Sequence, residues 1–449
     1  MSNTKKIFSN RCWLDGKLQP ATIEIDGNKI VFIHTKLLDG AEDVADNILM
    51  PGIIDAHVHV NEPGRTEWEG FDTATKAAAA GGITTIVDMP LNAIPVTTTV
   101  KALNEKITAT KDKLHVNVGF YGGLVPGNKK DIEGLLQAGV LGIKCFLTHS
   151  GIDEFPNVVE KEIDEAMPLI AKYDLPLLAH CELTNTKTNS HFEDFPNSYR
   201  HYLASRPKQW ENDAIEMMIN LCRKNNCRTH IVHVSSADAL PNIKNAKAEG
   251  LPLTAETCAH YIFFNAEVIP DANCLYKCAP PIREKQNNDL LKAALKNGVL
   301  DFITTDHSPA PPAIKELSSG NLLKAWGGIA GLQFLLPASY SALKEKLVIE
   351  KFIPLLTEHP ATFLKIANKK GKLAVGYDAD IVVWNPDEKF VVQPKDILHR
   401  YDCSPYSGQQ LSGVVQQTIV NGVTVYQNKK LVSAEIKHGQ LILQNNIQS

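Results

Sequence analysis

Two textures divide the chain. Over residues 1–50, apolar and polar positions alternate with period two in KIFSNRCWLDGKL and ATIEIDGNKIVFIH, and the turn dipeptides Asp15-Gly16 and Asp26-Gly27 interrupt them. Alternation punctuated by Asp-Gly predicts hairpins of an antiparallel sheet. The same texture returns at the far end in DADIVVWNP, GVVQQTIVNGVTVYQNKKL and GQLILQ, with an Asn-Gly turn at Asn421-Gly422. β-Branched residues fill these runs, as a pleated and half-buried surface favours. The two ends are therefore expected to pair into one discontinuous domain, residues 1–50 with residues 375–449.

Residues 51–374 read differently. Short apolar runs alternate there with longer helical stretches such as EGFDTATKAAAAG, KKDIEGLLQAG and ENDAIEMMINLCRKN, and several of these stretches close on glycine as helix C-termini do. The apolar runs are MPGIIDAHVHV, GITTIVDMP, LHVNVGFYG, LGIKCFL, LPLLAHCE, RTHIVHVS, PLTAETCAHY and LDFITTDHS. Strand–helix alternation is the mark of a parallel sheet, and eight units are the number that closes a TIM barrel. The pattern thus predicts an α/β protein: a (β/α)8 barrel carrying a small β-sandwich domain built from both termini.

Composition narrows the function. With 46 Lys+Arg against 50 Asp+Glu in 449 residues, the chain lacks the basic footprint of a nucleic-acid binder. Nine cysteines form no C-x-x-C pair and are scattered from Cys12 to Cys403, which fits reduced thiols better than a disulfide framework. MSNTKKIFSN has no apolar signal-peptide core, and no apolar run reaches the roughly 18 residues that a membrane span needs. A soluble, cytoplasmic protein with no membrane partner is expected.

The reactive groups of a TIM barrel sit at the carboxyl ends of its strands. Here those ends are loaded with metal ligands. The first strand ends in His57-Val58-His59, and period-two alternation sends both imidazoles to one side. The fifth ends in His180, the sixth in His233 and the eighth in Asp306. Four imidazoles and a carboxylate are the ligand types of a hydrolytic metal site. Taken singly, each residue reads as ordinary packing or a turn; their shared register at one end of the strands favours a joint role. Lys144 lies in the apolar fourth run, where desolvation disfavours its ammonium. Its neutral amine can condense with carbon dioxide to a carbamate, an anionic ligand able to bridge two metal ions. Signatures of a serine hydrolase elbow, a Walker A loop, a dinucleotide fingerprint and an H-E-x-x-H helix are missing.

In this order, H-x-H, an isolated Lys, two later His and a final Asp, the chain resembles the amidohydrolase superfamily in its cyclic-amidase branch of dihydroorotases, hydantoinases or dihydropyrimidinases, and allantoinases. Within the branch it most resembles allantoinases, through HVHVNEPGRTEWEGF, GFYGGLVPGN, GIKCFL, KCAPPIRE, TTDHSPAPP and AWGGIAGLQ. Dihydroorotases place Arg two residues beyond the second His to pair with a substrate carboxylate. This chain has Asn61 there, which suits a neutral, amide-rich ring. Hydantoinases carry Tyr shortly after the bridging lysine; here the stretch runs Lys144 to His149 without one, with Thr148 or His149 in its place.

The resemblance implies hydrolysis of the allantoin ring to allantoate. It makes His57, His59, His180, His233 and Asp306 ligands of two divalent ions, Zn or else Mn, Co or Fe, with a carboxylated Lys144 as bridge and Asp306 as catalytic acid–base. Asn61, Asn92, His260 and Cys278, with Pro280 near the last, match substrate-pocket segments, Asn92 one residue out of the dihydroorotase register. The Trp326-Gly327-Gly328 segment is expected in a loop near the pocket mouth, where its glycines permit a lid or end a turn. A homotetramer is also implied. The competing reading is a silent barrel relative acting as an assembly protein, which would be expected to lack ligands that this chain retains.

Overall fold

The computed structural model describes residues 4–184, 188, 190–432 and 437–444. All eight apolar runs of the middle region are strands: β1 (Ile53–Val58), β2 (Ile83–Asp88), β3 (Asn117–Phe120), β4 (Ile143–Phe146), β5 (Leu177–His180), β6 (Thr229–Ile231), β7 (Leu253–Cys258) and β8 (Phe302–Thr304). Neighbours pair in parallel from β1 through β3 and from β4 through β8. Main-chain bonds from Leu141 N to Phe120 O and from Gly122 N to Gly142 O bridge the β3–β4 gap. The ring closes where Val58 pairs with His307 and His59 N donates to His307 O at 2.7 Å.

Every residue of β1, β2, β3, β4 and β5 is buried, which is why these strands read as continuous apolar runs rather than alternating ones. Helices supply the second apolar layer: Glu160–Lys172 buries Ile163, Ala166, Met167 and Ile170, the i, i+3, i+4, i+7 pattern that keeps one face toward the barrel. Lys208–Asn225 ends on Asn226 in the left-handed region at φ 47°, a conformation asparagine tolerates better than most residues. Among the described residues, no helix is long and apolar enough to cross a membrane.

Both ends of the chain meet in one nine-stranded sheet, in which Ile48–Pro51 links the amino-terminal strands to Ile381–Val391 and Gln410–Val420. Ile7, Ile23, Leu49, Ile381 and Ile419 share its core. Register shifts at Ser9/Cys12 and Val383/Trp384 bend the strands around that core, as bulges do. One terminal run departs from expectation. GQLILQ, which alternates like a strand of the small sheet, instead lays Leu441–Ile442 in parallel along β3 of the barrel. Period two identifies a strand; it does not say which free edge the strand will cover.

Candidate active site

The chemistry-bearing side chains hang where barrel strands run out into loops. His57 and His59 lie on the same side of the β1 end, with ring centroids 5.5 Å apart. Their Nε2 atoms converge on a single oxygen, Oδ1 of Asp306, at 3.2 and 3.3 Å. Donor atoms of these three residues all lie within 4.8 Å of one another. His180 closes β5 and His233 follows β6 by two residues. Their rings stand 4.6 Å apart, and His233 is 5.5 Å from His57. Lys144, inside β4, is fully buried and its Nζ has no hydrogen-bond partner.

Backbone strain collects at the same end of the barrel. Asn61 and Asn92 (both φ 67°), His233 (φ 39°) and Asp306 (φ 44°) occupy the left-handed region. Asparagine and aspartate tolerate this region; His233 carries the larger cost, of order 1–3 kcal/mol. At His233, Asp306 and Asn92 the side chains line the cavity, whereas Asn61 turns to Pro309 O.

Buried neighbours fix ring orientation. The Nδ1–H of His57 donates to Glu256 Oε1 at 2.6 Å, and His230 Nε2 donates to the other oxygen at 3.1 Å. His230 Nδ1 meets the Thr254 hydroxyl at 2.8 Å, so a polar chain runs from the site down the barrel axis. Burial would raise the Glu256 carboxyl, but His57 and His230 hold it at about 2, so it stays an acceptor and leaves His57 Nε2 facing the site. Glu182 plays the matching part for His180, accepting from its Nε2 at 2.9 Å while Arg206 grips both carboxylate oxygens. Burial alone would lower His57, yet Asp306 and Glu256 raise it to about 9; burial dominates at His59, which falls to about 4.

Imidazoles and a carboxylate are the donor set of a divalent transition ion. The unpartnered Lys144 amine fits the same purpose. Burial pulls it down to about 8, and its charge acts on both His59 and His233. A buried amine with no acceptor is costly unless a further group meets it.

Above these residues opens a cavity of about 310 Å³. Asn92 lines it, and its Nδ2 approaches His59 Nδ1 at 3.4 Å. Asn61, His260 and Cys278 are not on the lining. Asn61 is fully buried, donating to Pro309 O at 3.4 Å with its own Oδ1 unpartnered. The buried His260 Nε2 is also unpartnered. The Cys278 carbonyl accepts from the hydroxyl of Tyr202, itself a lining residue, while Lys277 and Ala279 on either side of Cys278 face the cavity. His149 stands at the rim, paired with Asp153 at 3.3 Å.

Trp326 and Gly327 line the mouth as expected, but Gly328 is no free hinge: a Cβ there would sit 2.2 Å from Ser308 O. The sequence reading missed Glu256, His230, Glu182, Arg206, Tyr202 and Lys277. A glutamate within the apolar run PLTAETCAHY and a second histidine in RTHIVHVS were the signals available for the first two.

An amidohydrolase family model matches residues 48–425. A probable allantoinase of Oryza sativa is 42% identical over 97% of this chain and 89% of its own length. The allantoinase of Arabidopsis thaliana is 43% identical, covering 91% of this chain and 83% of its own. That of Saccharomyces cerevisiae is 38% identical, over 95% and 96%. Among solved structures, the L-hydantoinase (dihydropyrimidinase) of Arthrobacter aurescens superposes with a TM-score of 0.91 at 28% identity, over 97% of this chain and 99% of that one. The strand-end histidines, the terminal aspartate, the buried lysine and this match across the barrel lead to one conclusion: the chain belongs to the amidohydrolase family.

Proposed function

We propose that the protein hydrolyses the ring amide of allantoin to allantoate. The supporting observation is the joint one: four imidazoles, Asp306 and an unpartnered buried Lys144 gathered at one barrel end, in a chain similar over nearly its whole length to curated allantoinases. His57, His59, His180, His233 and Asp306 would hold two divalent cations, Zn or else Mn, Co or Fe, with Lys144 carboxylated between them. Such cations supply Lewis-acid activation of water and of the ring carbonyl.

The side chains do the rest. Asp306 Oδ1, within 3.3 Å of both His57 and His59, accepts a proton from the attacking water and returns it to the departing ring nitrogen. Glu256 and Glu182 keep the imidazoles aimed while this happens. Asn92 and the wall of Tyr202, Arg206, Lys277 and Trp326 orient the ring and exclude bulk water. Asn61 and His260 lie buried behind the lining, where their unpartnered atoms await a group brought by substrate or by a small shift of the loops. Asn61, where dihydroorotases carry Arg, leaves no guanidinium there for an anionic ring, which favours allantoin over dihydroorotate.

Nine free thiols, eight of them buried, support a reducing, cytoplasmic setting, and the family resemblance supports a homotetramer. Rates on allantoin, hydantoin, dihydrouracil and dihydroorotate with the metal-loaded protein test the reading. Allantoin should lead by at least tenfold in kcat/KM; preference for dihydroorotate would refute the assignment, and preference for hydantoin would move it to the hydantoinases.

A further inference from the structure

The pocket wall is held together by a lysine that never reaches the pocket. After β8 the chain runs through residues 309–331 and returns past the cavity, presenting Ile314, Ala325, Trp326 and Gly327 to it. The facing wall is the segment after β7 that carries Lys277 and Ala279. Lys315, in the loop after β8, turns its side chain toward the facing segment and is only 5% exposed. Its Nζ donates to the carbonyls of Lys277 at 2.9 Å, Trp326 at 3.0 Å and Gly328 at 2.5 Å. No carboxylate pairs with it among the described residues.

Lys277 reciprocates: its Nζ donates to Ala325 O at 2.5 Å and Leu323 O at 3.4 Å, and lies over the Tyr202 ring. Lys315 thus bonds one carbonyl of the facing segment and two of its own loop, while Lys277 bonds two carbonyls of the loop after β8. Trp326 is fixed further by its indole N–H on Ser308 O at 3.3 Å and by edge contact with Trp68, 4.8 Å between centroids. Burying an amine among carbonyls alone costs desolvation that an apolar residue would avoid. What the arrangement gains is a three-way tie between two loops that no secondary structure connects.

We propose that Lys315 is a positioning residue for substrate binding: by tying the loop after β8 to the segment bearing Lys277, it sets the width of the pocket and so governs KM rather than the chemical step. The inference deepens the allantoinase reading and rests on it. Lys315→Met keeps the aliphatic stem and removes the donors. Its KM for allantoin should rise about tenfold or more, with kcat within about threefold of the parent and metal content unchanged. Hydrogen exchange of peptides spanning residues 321–330 should accelerate, while exchange in β1 and β5 stays as it was.

An unchanged KM with unchanged exchange would overturn the proposal. A fall in kcat accompanied by loss of metal would overturn it too, since Lys315 would then act through the strand ends. If Lys315→Met fails to fold, Lys315→Leu, which also removes the donors, takes its place: accelerated exchange over 321–330 with raised KM supports the tie, and parental values of both reject it. Failure of the broader reading would show separately, as an absence of allantoin turnover in the parent protein.

Discussion

The floor of the pocket and its wall are built by different means. On the floor, His57, His59, His180, His233 and Asp306 project from the ends of β1, β5, β6 and β8, and buried carboxylates behind them lock two of the rings. The wall is loop, and its shape rests on Lys315, Lys277 and Trp326 bonding carbonyls that lie far away in sequence. The floor inherits its precision from barrel register; the wall must assemble its own from tertiary contacts. Chemistry common to a family belongs on the first, and choice among substrates on the second. Substitutions on the floor should therefore strike kcat or metal content, and substitutions on the wall KM.

The largest effect is expected at Asp306. Asp306→Asn should lower kcat by about 10³-fold or more while elemental analysis finds most of the metal retained. Retained turnover would remove the proton-transfer role from the floor. Glu256→Gln comes next. It removes the charged acceptor behind His57 and should weaken metal affinity by roughly 10–100-fold, read by competition with a chromogenic chelator; unchanged affinity would show that β1 alone aims the ring. On the wall, Trp326→Ala should raise KM by about tenfold and leave kcat within a few-fold. A kcat loss as deep as that of Asp306→Asn would erase the distinction between the two regions.

The smallest effect concerns a histidine behind both regions. Burial, with His307 nearby, lowers His399 from 6.5 to about 4. Between those values the unfolded chain binds the proton and the folded one does not, so stability falls as pH drops through that window, by about 1 kcal/mol per pH unit. Chemical denaturation at pH 7 and pH 5 should show the loss, and His399→Gln should flatten it.

The same division explains what could be read from sequence. All eight barrel strands were legible because buried parallel strands leave unbroken apolar runs between helical stretches, and the clustered histidines and Asp306 were legible because they end those runs. Glu256 and His230 were hidden inside such runs, where a polar residue reads as an exception until its partner is seen across the barrel. Lys315 left no signal at all. Its acceptors are main-chain oxygens 38, 11 and 13 positions away, and no side-chain pattern encodes a carbonyl. Cys278 illustrates the converse: KCAPPIRE marks the right wall, but Cys278 is off the lining and its neighbours Lys277 and Ala279 face the cavity.

The most direct test of the central claim follows allantoin by carbon NMR in the presence of the metal-loaded protein, before and after chelation. The account predicts disappearance of the ring signals with matching growth of the allantoate carboxylate, arrest when the chelator strips the metal, and recovery when a divalent ion is restored. A protein that carries its metal, keeps its fold and leaves allantoin unopened would contradict it.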